Sequence, residues 1–204
     1  KNLMNHKIAQ FFSFAFMPFL TPVYAILMLM NMWYARLLFD DHGRLIIVLS
    51  VVMFTMIIPA LATTILIKTG IVSDLYIKNR KERTWPYIIT FLSYLACIRF
   101  FVWIGIGKWV ILIALGTTIG LMVISLVNLW WKISAHMSGM GGLCGSIFAA
   151  SFVFHSNPVW LFISIILLSG FVAWSRLELN AHTPGQLTAG FLVGCLGTFL
   201  PILF

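Results

Sequence analysis

Long apolar stretches separated by short polar segments make up most of the chain. Each stretch approaches the roughly 20 residues that a helix needs to cross about 30 Å of hydrocarbon. The apolar residues do not alternate with polar ones, which favours helices over the strands of a transmembrane barrel. We therefore predict an all-α, polytopic transmembrane helix bundle of about six or seven spans, forming a single domain over residues 1–204. The seven candidate spans are 15–38, 45–67, 87–106, 108–131, 139–155, 158–174 and 184–204.

Composition excludes several classes of protein. The chain is 61% hydrophobic and only 9% charged, whereas soluble domains carry about 25% charged residues. This excludes an ordinary soluble fold, a disordered chain and a disulfide-stapled secreted module. The net charge of +8 does not indicate nucleic-acid binding, because such proteins expose their basic residues on a polar face.

Tryptophans and glycines support the helix-bundle interpretation. The eight tryptophans lie at or near the ends of predicted spans, where aromatic residues anchor helices at the membrane interface. Three Gly-x3-Gly pairs predict faces where two helices pack closely. These pairs begin at Gly116, Gly141 and Gly190.

Polar residues concentrate in three segments, 68–86, 132–136 and 175–182. Two predicted spans separate the first segment from the second, and two separate the second from the third. An even number of spans returns the chain to the same side of a membrane. All three segments are therefore expected to meet at one end of the bundle.

The side chains of these segments suit a reacting anion. They supply several permanent cations, two histidines and hydroxyl groups, but few carboxylates. A Mg²⁺ or Ca²⁺ site needs several oxygen anions, and two histidines without a third ligand make a poor zinc site, so neither a metal nor a cofactor is predicted. Arginine and lysine neutralise phosphate oxygens, while one histidine can attack phosphorus and the other can protonate the leaving oxygen. A substrate that arrives from the bilayer would be a lipid phosphate.

Structural interpretations are open for each segment taken alone. A basic loop beside a membrane helix commonly sets orientation or contacts lipid head groups. Arg176 could extend its stem toward water, and His136 could be an interfacial hydrogen-bonding residue. Asp40-Asp41-His42, between the first two spans, is predicted to be a solvated turn on the opposite face rather than a metal site. The joint occurrence of three polar segments at one end favours a functional site.

Two of the segments resemble signature motifs of the type 2 phosphatidic acid phosphatase superfamily. Ser175-Arg176-x5-His182 resembles the third motif, Ser-Arg-x5-His-x3-Asp. Ser-Ala-His at 134–136 is similar to the second motif, Pro-Ser-Gly-His. The order and separation of the motifs agree over about residues 68–194.

The first motif of that superfamily, Lys-x6-Arg-Pro, is matched by Lys78 and Pro86 alone. Trp85 occupies its arginine position, and Arg83 is the nearest arginine. The departure puts the identity of the cations from this segment in question.

The resemblance implies a metal-independent, cofactor-free membrane phosphatase that acts on lipid phosphate or pyrophosphate. His182 is then the nucleophile that forms a phosphohistidine, and His136 is the general acid. The implied phosphate-binding residues are Arg176, Lys78, Arg83 and Ser134, with Arg80 as an auxiliary cation. The bilayer and its lipid phosphates are the implied partners, and nucleic acid is not.

The aspartate that ends the third motif is replaced by Gln186. In a His-Asp pair the carboxylate accepts the Nδ1–H bond and stabilises the developing cation. Glutamine can accept the bond but carries no charge. Glu178, four residues before His182, is an alternative partner if that segment is helical. The replacement leaves three outcomes open: a weaker base, help from Glu178, or a non-catalytic protein.

The resemblance also bears on the location of the protein and on alternative functions. It implies an integral protein of a bacterial inner membrane whose site faces the periplasm, whereas the positive-inside rule alone would put the same face in the cytoplasm. The alternative functions are a lipid phosphotransferase that uses the same site, and a catalytically weakened protein that binds or transports lipid phosphates.

Overall fold

The computed structural model describes residues 3–74, 77 and 79–203. Within these residues the regular structure is helical throughout, and no strand forms. The helices are α1 (Leu3–Ala15), α2 (Thr21–Asn31), α3 (Trp33–Leu38), α4 (Asp41–Val51), α5 (Ile58–Lys68), α6 (Thr84–Trp103), α7 (Lys108–Val127), α8 (Ala135–Val153), α9 (Val159–Glu178) and α10 (Pro184–Phe199).

Five helical segments are long and apolar enough to cross a membrane, which confirms the all-helical, membrane-spanning character of the chain. Exposed tryptophans at helix ends agree with this, because Trp103, Trp130 and Trp160 are each more than 70% exposed. The five segments are Asp41–Lys68, Arg80–Trp103, Lys108–Val127, Val159–Glu178 and Pro184–Ile202.

The first predicted span, 15–38, is not one helix. The chain leaves the helical path after Ala15, turns through Pro18 and resumes as α2 at Thr21. Pro18 disfavours helical geometry in the residue before it, whereas Pro22 is tolerated because it lies in the first turn of α2. The break leaves the last carbonyl groups of α1 available for partners elsewhere in the fold.

The segment from Asp41 to Lys68 is continuous but changes its winding. A π-helical turn, Val52–Ile57, connects α4 to α5 just before Pro59. Proline has no N–H to donate and its ring crowds the carbonyl four residues earlier, so a wider turn relieves the contact. The Ser93 hydroxyl of α6 donates to the Phe54 carbonyl of this turn.

Helix α8 is the central helix of the bundle. Eleven of its nineteen residues are buried, and it packs against α2, α7, α9 and α10. Close packing with α10 depends on glycine, since a Cβ at Gly141 would overlap the Phe191 carbonyl and a Cβ at Gly194 would overlap the Ser138 carbonyl. The predicted small-residue faces of these two helices are confirmed. The predicted fifth span, 139–155, corresponds to this helix, which starts earlier, at Ala135.

The three polar segments meet at one end of the bundle, as the span parity predicts. The end of α7 and the start of α8 contact the turn at Arg80–Arg83, which precedes α6. His182, between α9 and α10, contacts the same α7–α8 connection through the Lys132 carbonyl. The end of α1 joins them through Ser13.

Candidate functional site

His182 lies in the turn that follows a helix-terminating motif at the end of α9. At the end of α9, Asn180 adopts the left-handed conformation with φ +50°, which asparagine tolerates better than most residues. Its N–H donates to Leu177, and the N–H of Ala181 donates to Arg176. This reversal is a Schellman motif, and it directs the chain toward α10 with His182 in between.

The His182 ring is held at one nitrogen by two acceptors. Its Nδ1 lies 3.1 Å from the Gln186 side-chain oxygen and 3.3 Å from the Lys132 carbonyl oxygen. Because both partners only accept, the network assigns the hydrogen to Nδ1. The other nitrogen, Nε2, then keeps its lone pair. His182 is buried, with 8% of its surface exposed.

Gln186 also caps the start of α10. It occupies the third position of α10, and its side-chain oxygen also accepts the Thr183 N–H at 3.1 Å. Thr183 and Gln186 thus form a capping box, which anchors the amide that orients His182. Gln186 takes the orienting position beside the ring, whereas the alternative candidate, Glu178, lies half-buried in the last turn of α9.

The surroundings of His182 favour its neutral form. Burial lowers its pKa from 6.5 to about 4, and the charges of Arg176 and Arg83 act in the same direction. The hydrogen bond with Gln186 opposes the shift only in part. Partial burial also lowers the pKa of Lys132, and Arg83 and Arg176 again add to the effect. Mutual repulsion among these cations creates a site whose potential attracts an anion.

His136 joins the same cluster from the first turn of α8. Its Nε2 lies 3.1 Å from the main-chain carbonyl oxygen of Ser13. Burial lowers the pKa of His136 well below 6.5, and the charge of Arg176, the ring of His182 and the charge of Arg83 act in the same direction. The structure therefore groups the two histidines that the motifs predict, together with two arginines.

Ser134 stands immediately before α8 and caps it. Its Oγ accepts the Met137 N–H at 3.3 Å, and its own N–H donates to the Gln186 carbonyl at 3.3 Å. The second bond joins the starts of α8 and α10. Ser134 is fully buried, so its contribution to the site in this structure is to fix these two helix ends.

Arg176 lies in the last turn of α9 and is 4% exposed. Its Nη1 donates to the Ser13 hydroxyl at 2.5 Å. Ser13 is itself fully buried. One residue of α1 thus contacts both His136, through its carbonyl, and Arg176, through its side chain.

Arg83 is 7% exposed and donates to two main-chain carbonyls. Its Nε contacts the Ile77 oxygen at 3.0 Å and its Nη1 the Ile133 oxygen at 3.3 Å. Among the residues that the structure describes, Arg83 forms no ion pair. The buried charge of Arg83 is thus not matched by a described carboxylate. A buried charge without a counter-ion is costly, and a bound anion would compensate for it.

Arg80, the auxiliary cation that the resemblance implies, contacts the end of α7 in this structure. Its guanidinium donates to the carbonyls of Asn128 and Leu129 at the end of α7. In return the Asn128 side chain donates to the Arg80 carbonyl at 3.1 Å. Arginine at a helix C-terminus satisfies terminal carbonyls and complements the helix dipole. Arg80 therefore fastens the basic turn to α7. Lys78 lies outside the described residues.

Sequence reasoning missed three contributors: Ser13, the Lys132 carbonyl and Asn128. Ser13 precedes the first predicted span, and nothing in its neighbours distinguishes it. Main-chain carbonyls carry no signature in a sequence at all. Asn128 offered one usable signal, because it is a lone amide near the end of an apolar run and is now 2% exposed.

Neither a metal-binding arrangement in the described residues nor a known relative identifies what this cluster binds. In the part of the chain that the structure describes, no group of three or more His, Cys, Asp or Glu side chains is arranged to hold a metal ion. A comparison of the chain with protein-family models, with curated proteins and with solved structures finds no match. The function is therefore argued from the site itself.

Proposed function

We propose that the chain is an integral-membrane phosphatase that removes phosphate from a lipid phosphate or lipid pyrophosphate. The observation that supports this most is the state of His182. Its Nδ1–H is held by Gln186 and Lys132, and buried Arg83 and Arg176 lie near it. A neutral, oriented imidazole beside two guanidinium groups is suited to attack a phosphate.

The proposed reaction has two steps. In the first, Nε2 of His182 forms a bond to phosphorus while the bond from phosphorus to the lipid oxygen breaks. His136, which takes up a proton when the phosphate dianion binds beside it, donates that proton to the lipid oxygen, and the dephosphorylated lipid leaves. In the second, water attacks the phosphohistidine, His136 takes a proton from the water, the P–N bond breaks and inorganic phosphate leaves. The arginines stabilise the negative charge in both transition states.

A lipid substrate is favoured by the location of the cluster. The candidate membrane-spanning helices end next to it, so a phosphate on a membrane lipid would reach it without leaving the bilayer surface. We propose a bacterial inner membrane as the location of the protein, with this end toward the periplasm. Labelling of a single cysteine introduced at His42 with an impermeant reagent tests the orientation: protection in intact cells agrees with it, and labelling from outside contradicts it.

The decisive experiment is to trap the covalent intermediate. The purified protein, in lipid nanodiscs without added metal and with a chelator present, should release phosphate from at least one member of a panel of lipid phosphates and pyrophosphates. Rapid acid-free quenching with ³²P-labelled substrate should leave base-stable, acid-labile label on the protein. His182→Ala should abolish both signals, while His42→Ala at the other end should keep both. Turnover by His182→Ala would remove His182 as the nucleophile.

A second candidate, a weakened protein that binds or transports lipid phosphates, is favoured by one observation. The residue that orients His182 is the amide of Gln186, which cannot balance the charge of a developing imidazolium. If the wild type is inactive on the whole panel but binds the lipids, and Gln186→Asp gains turnover, this candidate replaces the phosphatase. Product analysis with an added alcohol distinguishes a phosphotransferase, which would yield a new phosphate ester instead of free phosphate.

A further inference from the structure

A partly open apolar cavity of about 140 Å³ lies between α2, α6, α7 and α8. Most of its lining is hydrocarbon and small side chains. The hydroxyls of Thr90 and Thr118 also line it, but each donates to a carbonyl of its own helix. Apart from the hydroxyl of Tyr87 and the indole N–H of Trp109, the walls offer a ligand little hydrogen bonding, and an apolar group would be their natural occupant.

The shape of the cavity suits a chain rather than a compact molecule. It follows one face of α6 from Tyr87 to Phe101, a rise of about 21 Å at 1.5 Å per residue. Half of a hydrocarbon core of about 30 Å is about 15 Å, so the cavity is longer than one leaflet is deep. This elongated lining matches one extended hydrocarbon chain better than a compact molecule.

One end of the cavity lies beside the candidate site. Ala135 and Ser138 line it there, on either side of His136 in the first turn of α8. Tyr87 lines it from α6 and lies within electrostatic range of Arg83. The Tyr87 hydroxyl is buried, its oxygen lies beside the Arg83 side chain, and its hydrogen has no acceptor within the described part of the chain. A buried hydroxyl hydrogen without an acceptor is costly, and at this position an oxygen atom of a bound molecule would accept it.

We propose that this cavity binds the hydrocarbon chain of the substrate and that the Tyr87 hydroxyl donates to an oxygen near its head group. The inference rests on the proposed function for the identity of the substrate. It adds that the substrate is an amphiphile with a long chain, and that the inner walls of the bundle, rather than surrounding lipid, select the length of that chain. The phosphate lies at the polar end, next to the histidines.

Chain-length kinetics test this proposal. Ala114 lines the far part of the cavity on α7, and the neighbouring Leu115 is exposed on the outer surface of the same helix. In nanodiscs, Ala114→Phe should lower kcat/KM for hexadecyl phosphate by at least tenfold and leave kcat/KM for butyl phosphate within twofold. The matched control, Leu115→Phe, should change neither. Unchanged selectivity in Ala114→Phe, or an equal change in Leu115→Phe, overturns the proposal.

A second measurement needs neither turnover nor a folded Ala114 variant. Wild-type protein is photolabelled with a hexadecyl phosphate that carries a diazirine at the end of its chain, and the labelled residues are mapped by mass spectrometry. Labels on cavity-lining residues such as Phe101 or Ile113 support the proposal. Labels confined to outward-facing residues such as Leu115 or Ile119 overturn the proposal. A co-purified lipid that occupies the cavity and is not displaced by the probe also overturns it.

The two measurements separate the two proposals. Cavity labelling without hydrolysis of either substrate contradicts the phosphatase and keeps the chain site. Hydrolysis of both substrates without cavity labelling keeps the phosphatase and contradicts the chain site.

Discussion

The two ends of the bundle carry similar side chains but connect them differently. At the end with the three polar segments, hydrogen bonds join residues far apart in the chain, such as His136 with Ser13 and Arg83 with Ile133. At the opposite end, Asp40 accepts the Gly43 N–H within its own turn, and Asp41 pairs with Arg44 one helical turn away.

This difference separates a built site from a solvated turn. The Asp41 side chain is 89% exposed, and an exposed ion pair of this kind contributes little to stability. Asp40 caps α4, which local sequence can accomplish alone. Burying the rings and guanidinium groups of the other end requires several helices at once. Such an arrangement costs desolvation energy, and this cost is a reason to propose a function for it.

Replacing a histidine at each end of the bundle should have the most unequal effects. His136→Gln should lower kcat/KM for a lipid phosphate by about 10²–10⁴, the usual contribution of a general acid. His155→Gln, an exposed histidine at the opposite end, should change it by less than about twofold because it contacts no part of the site. Steady-state phosphate release measures both.

A substrate with an activated leaving group sharpens this test. An aryl phosphate needs little protonation as it departs, so His136→Gln should lose much less activity on it than on a lipid phosphate. An equal loss on both substrates would contradict the role of His136 as general acid.

Replacing an arginine of the site should have the next largest effect on activity. Arg176→Met should lower kcat/KM by about 10², the scale of removing one preorganised donor from a transition state, and should weaken inhibition by vanadate. Arg44→Met, the matched change at the opposite end, should alter neither quantity. Equal effects of the two substitutions would mean that Arg176 is structural only.

Protonation of His182 gives a smaller effect, on stability. Its pKa is lowered to about 4 in the folded protein, compared with about 6.5 in an unfolded chain. Between these values only the unfolded chain binds the proton, so stability falls as pH drops below 6.5. The loss should reach about 2 kcal/mol at pH 5. Unfolding in detergent at pH 7, 6 and 5 measures it, and the stability lost between pH 7 and pH 5 should be about 2 kcal/mol smaller in His182→Gln. Parallel pH profiles for the two proteins would contradict the shift.

Replacing Ser13 of α1 should have the smallest effect on activity. Ser13→Ala removes the hydroxyl that holds Arg176 and should lower kcat/KM about fivefold, mainly through KM, as expected for a hydrogen bond worth about 1 kcal/mol. Ser13→Thr, which keeps the hydroxyl, should recover most of the loss. Ser164→Ala, at an exposed position on α9, serves as the control. No recovery in Ser13→Thr would indicate that packing at this position, rather than the hydrogen bond, matters.

Sequence alone determined the helical, membrane-spanning character of the chain and the meeting of its polar segments. Both follow from local information, because apolar run length decides whether a helix can cross a bilayer and an even number of crossings returns the chain to the same side. The motif spelling also identified His136, Arg176 and His182 as a group before their contacts were visible. The glycine pairs on α8 and α10 were readable for the same reason, since small residues one turn apart form a face.

Only the tertiary structure decided which partner each polar group has. Ser13 lies 123 residues from His136 and 163 from Arg176, and Arg80 faces the end of α7 instead of the histidines. Hydrogen bonds are short-ranged and directional, so their partners depend on how whole helices pack. The break at Pro18 sets where α1 ends, and that end brings a carbonyl and a hydroxyl to the site that no local pattern encodes.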